Sequence, residues 1–177
     1  MAAIGKHEEA EKMFRKCLDM WKVLIDEIPK NPQSLREQAK SRNWLAWFLV
    51  TCPEIKRRNP SQAVRLAKQV VKQESDEPVY WNTLALAHYR AGDWKNAKTA
   101  VDRALKEAGN EPSEMNWLIQ AMVLKQQNAA AQAKTAYDKA LGQRARKSKE
   151  KKRIGRIEAE SLSTVRQAAA ALFSRRG

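Results

Sequence analysis

One tract constrains this chain more than any other: Tyr80 to Leu105, YWNTLALAHYRAGDWKNAKTAVDRAL. Trp81, Leu84, Ala85 and His88 fall at i, i+3, i+4 and i+7, one stripe of an α-helix. Arg90-Ala-Gly-Asp supplies the stop. Gly92 can take a positive φ where the helix ends, and Asp93 is placed to cap the next one. Ala97, Val101, Ala104 and Leu105 carry the stripe along a second helix. Two helices approach closely only where no bulky side chain intervenes, and alanines stand at 85 and 97. The tract therefore predicts an antiparallel helical hairpin.

Weaker copies lie on both sides. Leu45 and Ala46 are in register with Leu84 and Ala85, while Trp117, Ala121, Leu124, Ala133, Tyr137, Ala140 and Leu141 repeat the pattern downstream. Ala63 and Ala97 are 34 residues apart, and Ala97 and Ala133 are 36 apart, with two extra residues in Gly109-Asn-Glu-Pro-Ser. Asn128 stands where Gly92 stood, and Asn is the residue next most tolerant of αL. In the upstream copy Ala46 and Ala63 are 17 apart, against 12 for Ala85 and Ala97, so its turn, TCPEIKRRNP, is enlarged by five residues. Asn59-Pro60 at its end reads as an N-cap followed by Pro at the first helical position. This period and pattern resemble the tetratricopeptide repeat, a helix–turn–helix unit. Trp81, Leu84, Ala85, Gly92, Trp94, Ala97 and Ala104 match it. His88 and Val101 replace preferred aromatics, and Arg42 stands where that repeat favours Trp. The resemblance implies an all-α fold, a right-handed αα superhelix (solenoid) with a C-terminal capping helix.

The chain reads as a single domain over 1–177. Residues 1–32 hold a half-repeat and a long helix, with Gly5, His7, Ala10, Phe14, Cys17 and Leu18 matching a turn and second helix whose first helix is missing. That predicts a chain beginning mid-repeat, as a remnant or a piece of a longer protein. Pro29 to Pro32 ends the helix, since Pro cannot sit in a helix interior, and a new one is expected near Gln33 or Ser34. Repeats follow over 33–75, 78–110 and 113–142, then a basic tract over 143–156, as loop or helix extension, and a capping helix over 157–174. In the last, Ile157, Leu162, Val165, Ala168, Ala169, Leu172 and Phe173 share one face, suited to covering the open end of a stack. The face of the 7–28 helix left without a partner makes a homo-oligomer through that end an expectation.

Composition narrows the function. The net charge is +14, and residues 142–177 carry 11 Lys/Arg against 3 Asp/Glu, a net +8 in 36 residues. No apolar run reaches the length of a membrane span, and MAAIGKHEEAEK has no signal-peptide core. Cys17 and Cys52 read as buried thiols of a reducing, cytoplasmic protein. The two histidines, His7 and His88, occupy repeat-defining positions, so packing is the simpler role for each. Neither metal-ligand spacing nor a Gly-rich phosphate loop occurs, and Glu8, Glu9 and Asp26 fall on faces left to solvent. A non-enzyme with no cofactor and no metal is expected.

LAWFLVTCP, WNTLALAHYRAGDWKNA, YDKAL and the leading GKHEEAEKMFRKCLDMWKVLIDEIPKNP together resemble repeat regions of planctomycete multidomain proteins, over residues 5–141. In those proteins the repeats often follow a serine/threonine kinase. The resemblance implies a protein-binding scaffold or adaptor without naming a partner, and no kinase motif (Gly-rich loop, HRD or DFG) is present. In such folds the first helices line a groove. By register, Asn43, Trp44, Trp47, Asn82, Leu86, Tyr89, Arg90, Ile119 and Met122 are the expected groove residues. Only Asn43 and Asn82 suit a carboxylate clamp, so an apolar or amphipathic protein segment is the expected ligand, unless the chain fills the groove itself. The alternative partner is nucleic acid or an acidic protein, bound through Lys147, Lys149, Lys151, Lys152, Arg153 and Arg156. Against it, the tract has no aromatic side chains for base stacking.

Overall fold

The computed structural model of the protein describes residues 2–29, 31–149 and 156–174, with side chains described outside 2–5, 146–149 and 156–161. Its regular structure among those residues is helical: α1 Ala2–Glu27, α2 Pro32–Thr51, α3 Pro60–Gln73, α4 Pro78–Arg90, α5 Trp94–Ala108, α6 Glu114–Gln126, α7 Ala130–Lys149 and α8 Arg156–Ser174.

The helix boundaries follow from local chemistry. Asn31 caps α2 by accepting from the amides of Gln33 and Ser34, which lets Pro32 occupy the first turn, slightly ahead of the expected start. Asn59 accepts from Gln62 N at 2.9 Å ahead of Pro60, and Asp93 accepts from Asn96 N at 3.1 Å. Ser113 and Asn116 form a reciprocal capping box at the start of α6. Each such cap stabilises its helix by about 1 kcal/mol. The hairpin turns contain Gly92 at φ 78° and Asn128 at φ 60°. One expectation is corrected here: α1 runs through Gly5 from Ala2, so Gly5 is not a turn. A single Gly costs a helix only about 1 kcal/mol, which the long apolar stripe beyond it offsets.

Packing arranges the helices as consecutive hairpins, α2 with α3, α4 with α5 and α6 with α7, while α2, α4 and α6 also touch one another in a row. Close approach occurs at alanines: Ala46, Ala63, Ala85, Ala97, Ala121 and Ala133 are all fully buried. Larger side chains, among them Leu45, Leu49, Leu86, Val101 and Ile119, fill the remaining interior. His88 is buried in the position of a packing aromatic, with its Nδ1 2.9 Å from Asp93 Oδ2 across the turn.

At the N-terminal side α1 packs on α2 through Ala10, Phe14 and Leu18, with the Phe14 and Phe48 rings 5.8 Å apart. The enlarged turn, which includes a short 3-10 segment at Ile55–Arg57, binds α1 as well. Arg57 pairs with Glu8 at 2.8 Å, Glu54 at 2.9 Å and Glu11 at 3.7 Å, and His7 Nδ1 lies 3.1 Å from Glu54. Met13, Met20 and Val23 remain exposed on α1. Cys52 is buried and Cys17 half-buried, and both are free thiols; burial pushes the Cys52 thiol upward.

The C-terminal helix lies on the last hairpin, with Phe173 stacked on Tyr137 of α7 at 4.6 Å, and reaches beyond it. It packs against α6 and also against α2, so it lies across the row of first helices instead of covering only the terminal hairpin. Among its described side chains, Val165 and Ala169 are fully buried. The basic tract is in part the helical extension considered from sequence: α7 continues to Lys149.

Candidate protein-binding groove

The row α2, α4, α6 and the crossing helix α8 enclose an open cavity of about 1030 Å³. One wall comes from α2, with Lys40, Asn43, Trp44 and Trp47; the floor comes from α4, with Val79, Asn82 and Thr83. The far wall comes from α6, with Glu114, Met115 and Asn116, and Leu162 and Arg166 of α8 close one side.

Four of the nine expected groove residues therefore face this cavity: Asn43, Trp44, Trp47 and Asn82. Trp44 is the most open of them, 37% exposed. The other five lie elsewhere. Leu86, Ile119 and Met122 are sealed in the interior, in the same buried cluster as Val165 and Ala169 of α8. Tyr89 is buried too, its ring edge-on to Trp94 at 5.1 Å and its hydroxyl accepting from Gln126 at 3.3 Å. Arg90 is half-buried at the opposite end of α4, and its Nε has no hydrogen-bond partner. Burial, and then the neighbouring Arg58 charge, hold its guanidinium below the usual range.

The polar floor of the cavity is built from asparagine. Asn43, Asn82 and Asn116 are all buried, and Asn116 Nδ2 donates to Asn82 Oδ1 at 3.2 Å. Asn116 was not among the expected residues. Counting from Trp81 to Trp117 aligns Asn82 with Leu118, whereas the side chain that reaches Asn82 is two positions earlier. Its own Oδ1 accepts from the amide and hydroxyl of Ser113 at 2.7 and 2.6 Å, which fixes its orientation. The Ser113-x-x-Asn116 spacing was the available signal. Asn43 differs: it is 7% exposed and its Oδ1 has no hydrogen-bond partner. A buried amide oxygen left unpaired costs about 1–3 kcal/mol.

Glu114 supplies the charge. Its carboxylate accepts both forks of Arg166 at 2.6 Å each, raising the guanidinium above its usual range. Arg144, from the helical extension of the basic tract, also lines the cavity. Of the expected basic patch, Lys147 and Lys149 belong to α7 and Arg156 begins α8, with side chains outside the described set; Lys151, Lys152 and Arg153 lie outside the described residues. Among the described residues no group of three or more His, Cys, Asp or Glu could hold a metal ion, and no helix is long and apolar enough to cross a membrane.

An all-helical chain of consecutive hairpins with a shared row of first helices is the architecture of a helical repeat protein. Comparison with known proteins adds one likeness. The chain is similar to Protein HemY of Escherichia coli strain K12, at 31% identity over 75 residues, 42% of this chain and 19% of that protein. It is equally similar to Protein HemY of Escherichia coli O157:H7 and of Shigella flexneri. The matched stretch thus spans about a fifth of the length of these curated relatives. No protein-family model matches the chain, and no solved structure matches it.

Proposed function

We propose that this chain is a non-catalytic interaction module of tetratricopeptide type, a right-handed solenoid related to the repeat regions of planctomycete multidomain proteins, which binds a segment of another protein in the α2–α4–α6 groove. The observation that carries this reading is the open cavity of about 1030 Å³ lined by the buried amides of Asn43, Asn82 and Asn116. Trp44 and Trp47 add apolar area beside it, and aromatic anchors around a few fixed polar groups are the usual composition of a recognition site.

The test compares partners retained by the intact chain and by Asn43→Leu and Trp47→Ser variants from the native cell. Loss of the same partner in both variants, with each still melting cooperatively and keeping its helical circular-dichroism signal, is the expected result. Retention of an identical set of partners by all three chains refutes the reading.

A further inference from the structure

We propose that the groove's partner is an amphipathic helix carrying an arginine, and that α8 is a tethered stand-in which this partner displaces. The inference rests on the reading of the groove as a binding face, and concerns what fills it.

Four observations carry it. First, α8 reaches α2, a helix more than a hundred residues earlier in the chain, as well as α6; it occupies the row of first helices as a ligand would. Secondly, its described side chains meet the row of first helices with modest bulk: Val165 and Ala169 are fully buried and Leu162, Ala168 and Leu172 half-covered, while Phe173 packs instead on α7, its ring stacked on Tyr137 at 4.6 Å. Thirdly, the groove contains a carboxylate, Glu114, with a side chain only 9% exposed, whose guanidinium partner Arg166 comes from α8. A nearly buried acid is costly without its cation, so whatever replaces α8 must bring an arginine to the same point. Fourthly, α8 leaves about 1030 Å³ beside it unfilled, with Leu162 and Arg166 forming one wall. A helix with larger side chains toward Trp44 and Trp47 would keep the ion pair and fill that space. Tethering gives α8 an effective concentration of the order of millimolar, so a partner helix must bind the empty groove more tightly than α8 itself does.

The test uses the full-length chain and a fluorescent synthetic peptide of residues 156–177. Arg166→Glu places a like charge against Glu114 and weakens only the tethered copy. The peptide is expected to bind this variant at least tenfold more tightly than it binds the unmodified chain, with one peptide per chain. Glu114→Arg should abolish binding of that peptide and admit one carrying Arg166→Glu. Hydrogen exchange on the unmodified chain gives a second readout: amides of 162–172 should exchange at least tenfold faster than those of α4 and α5. Equal peptide affinity for the unmodified and Arg166→Glu chains, or α8 amides as slow as those of α4, makes α8 a fixed part of the fold and overturns the proposal. Concentration-dependent dimerisation of Arg166→Glu without peptide binding also overturns it, since the occupant would then be a second copy. If the peptide behaves as expected but Asn43→Leu and Trp47→Ser retain every cellular partner, the groove reading fails and the displaceable helix stands.

Discussion

Leu86 offers the sharpest check on which side of α4 is interior. The sequence register places it toward the groove; the structure leaves it 0% exposed, on a helix that touches α2, α3, α5 and α6. Leu86→Ala removes about three methylene equivalents, each contributing about 0.8 kcal/mol of transfer free energy, or about 2.4 kcal/mol together. A cavity term adds to this because a helix held on four sides cannot collapse into the space, which puts the total at about 3–5 kcal/mol. For a chain of this length the melting midpoint should fall by roughly 10 °C. With a urea dependence of about 2 kcal/mol per molar, the denaturation midpoint should drop by about 2 M. Trp44→Ala, at a half-open site, should cost about 1 kcal/mol in the same assay. Urea titrations followed by circular dichroism measure both. If Leu86→Ala shifts the midpoint by less than Trp44→Ala and instead removes partner binding, the burial assigned to α4 is wrong.

Three further outcomes are expected. Burial holds the His88 imidazole below its ordinary range even with Asp93 beside it, so the unfolded chain binds this proton more readily than the folded one. The associated stability is full above the unfolded pKa of about 6.5 and declines as pH falls through it, by at most about 1.4 kcal/mol per pH unit. His88→Phe should flatten the melting curve between pH 7 and 5, and an unchanged slope would contradict the burial. Asn128→Ala, at φ 60°, should cost about 1 kcal/mol by thermal denaturation, whereas Asn128→Gly should be neutral or stabilising. Replacing Lys147, Lys149, Lys151, Lys152, Arg153 and Arg156 by Gln should remove whatever nucleic acid the chain retains on filters at low salt. Retention by the unmodified chain that survives physiological salt would favour the basic tract over the groove as the functional surface.

The hairpins were legible because their signals are local. Gly92, Asn128, Asp93 and Asn59-Pro60 each announce a turn or cap within a few residues, and the alanine spacing sets the pairing. The groove was half legible. Asn43, Trp44, Trp47 and Asn82 sit near the open cavity, where register alone placed them. Leu86, Ile119 and Met122 occupy equivalent positions on the helical wheel and are covered, in one cluster with residues of α8. That distinction depends on where a helix more than thirty residues downstream comes to rest. Periodicity reports which face of α8 is apolar, not which helices that face will meet. Asn116 was missed because two residues inserted before α6 were carried through the count, although the contact to Asn82 skips back over them.

The enlarged turn between α2 and α3 sets the phase of the first helix. Helices packed through stripes such as Ala10, Phe14 and Leu18 can in principle slide past one another by one turn, about 5.4 Å, and find a similar fit. Arg57 opposes that step. Its guanidinium engages Glu8 and Glu11 on α1 while Glu54 of its own loop holds it and His7 together. A one-turn slip would break the His7–Glu54 contact and leave Arg57 within reach of only one of Glu8 and Glu11, which stand about a turn apart on α1. Exposed ion pairs contribute little to stability individually, so the loop's consequence is positional. It acts as a pawl on the α1–α2 seam, fixing where Met13, Met20 and Val23 are displayed on the outer side of the molecule.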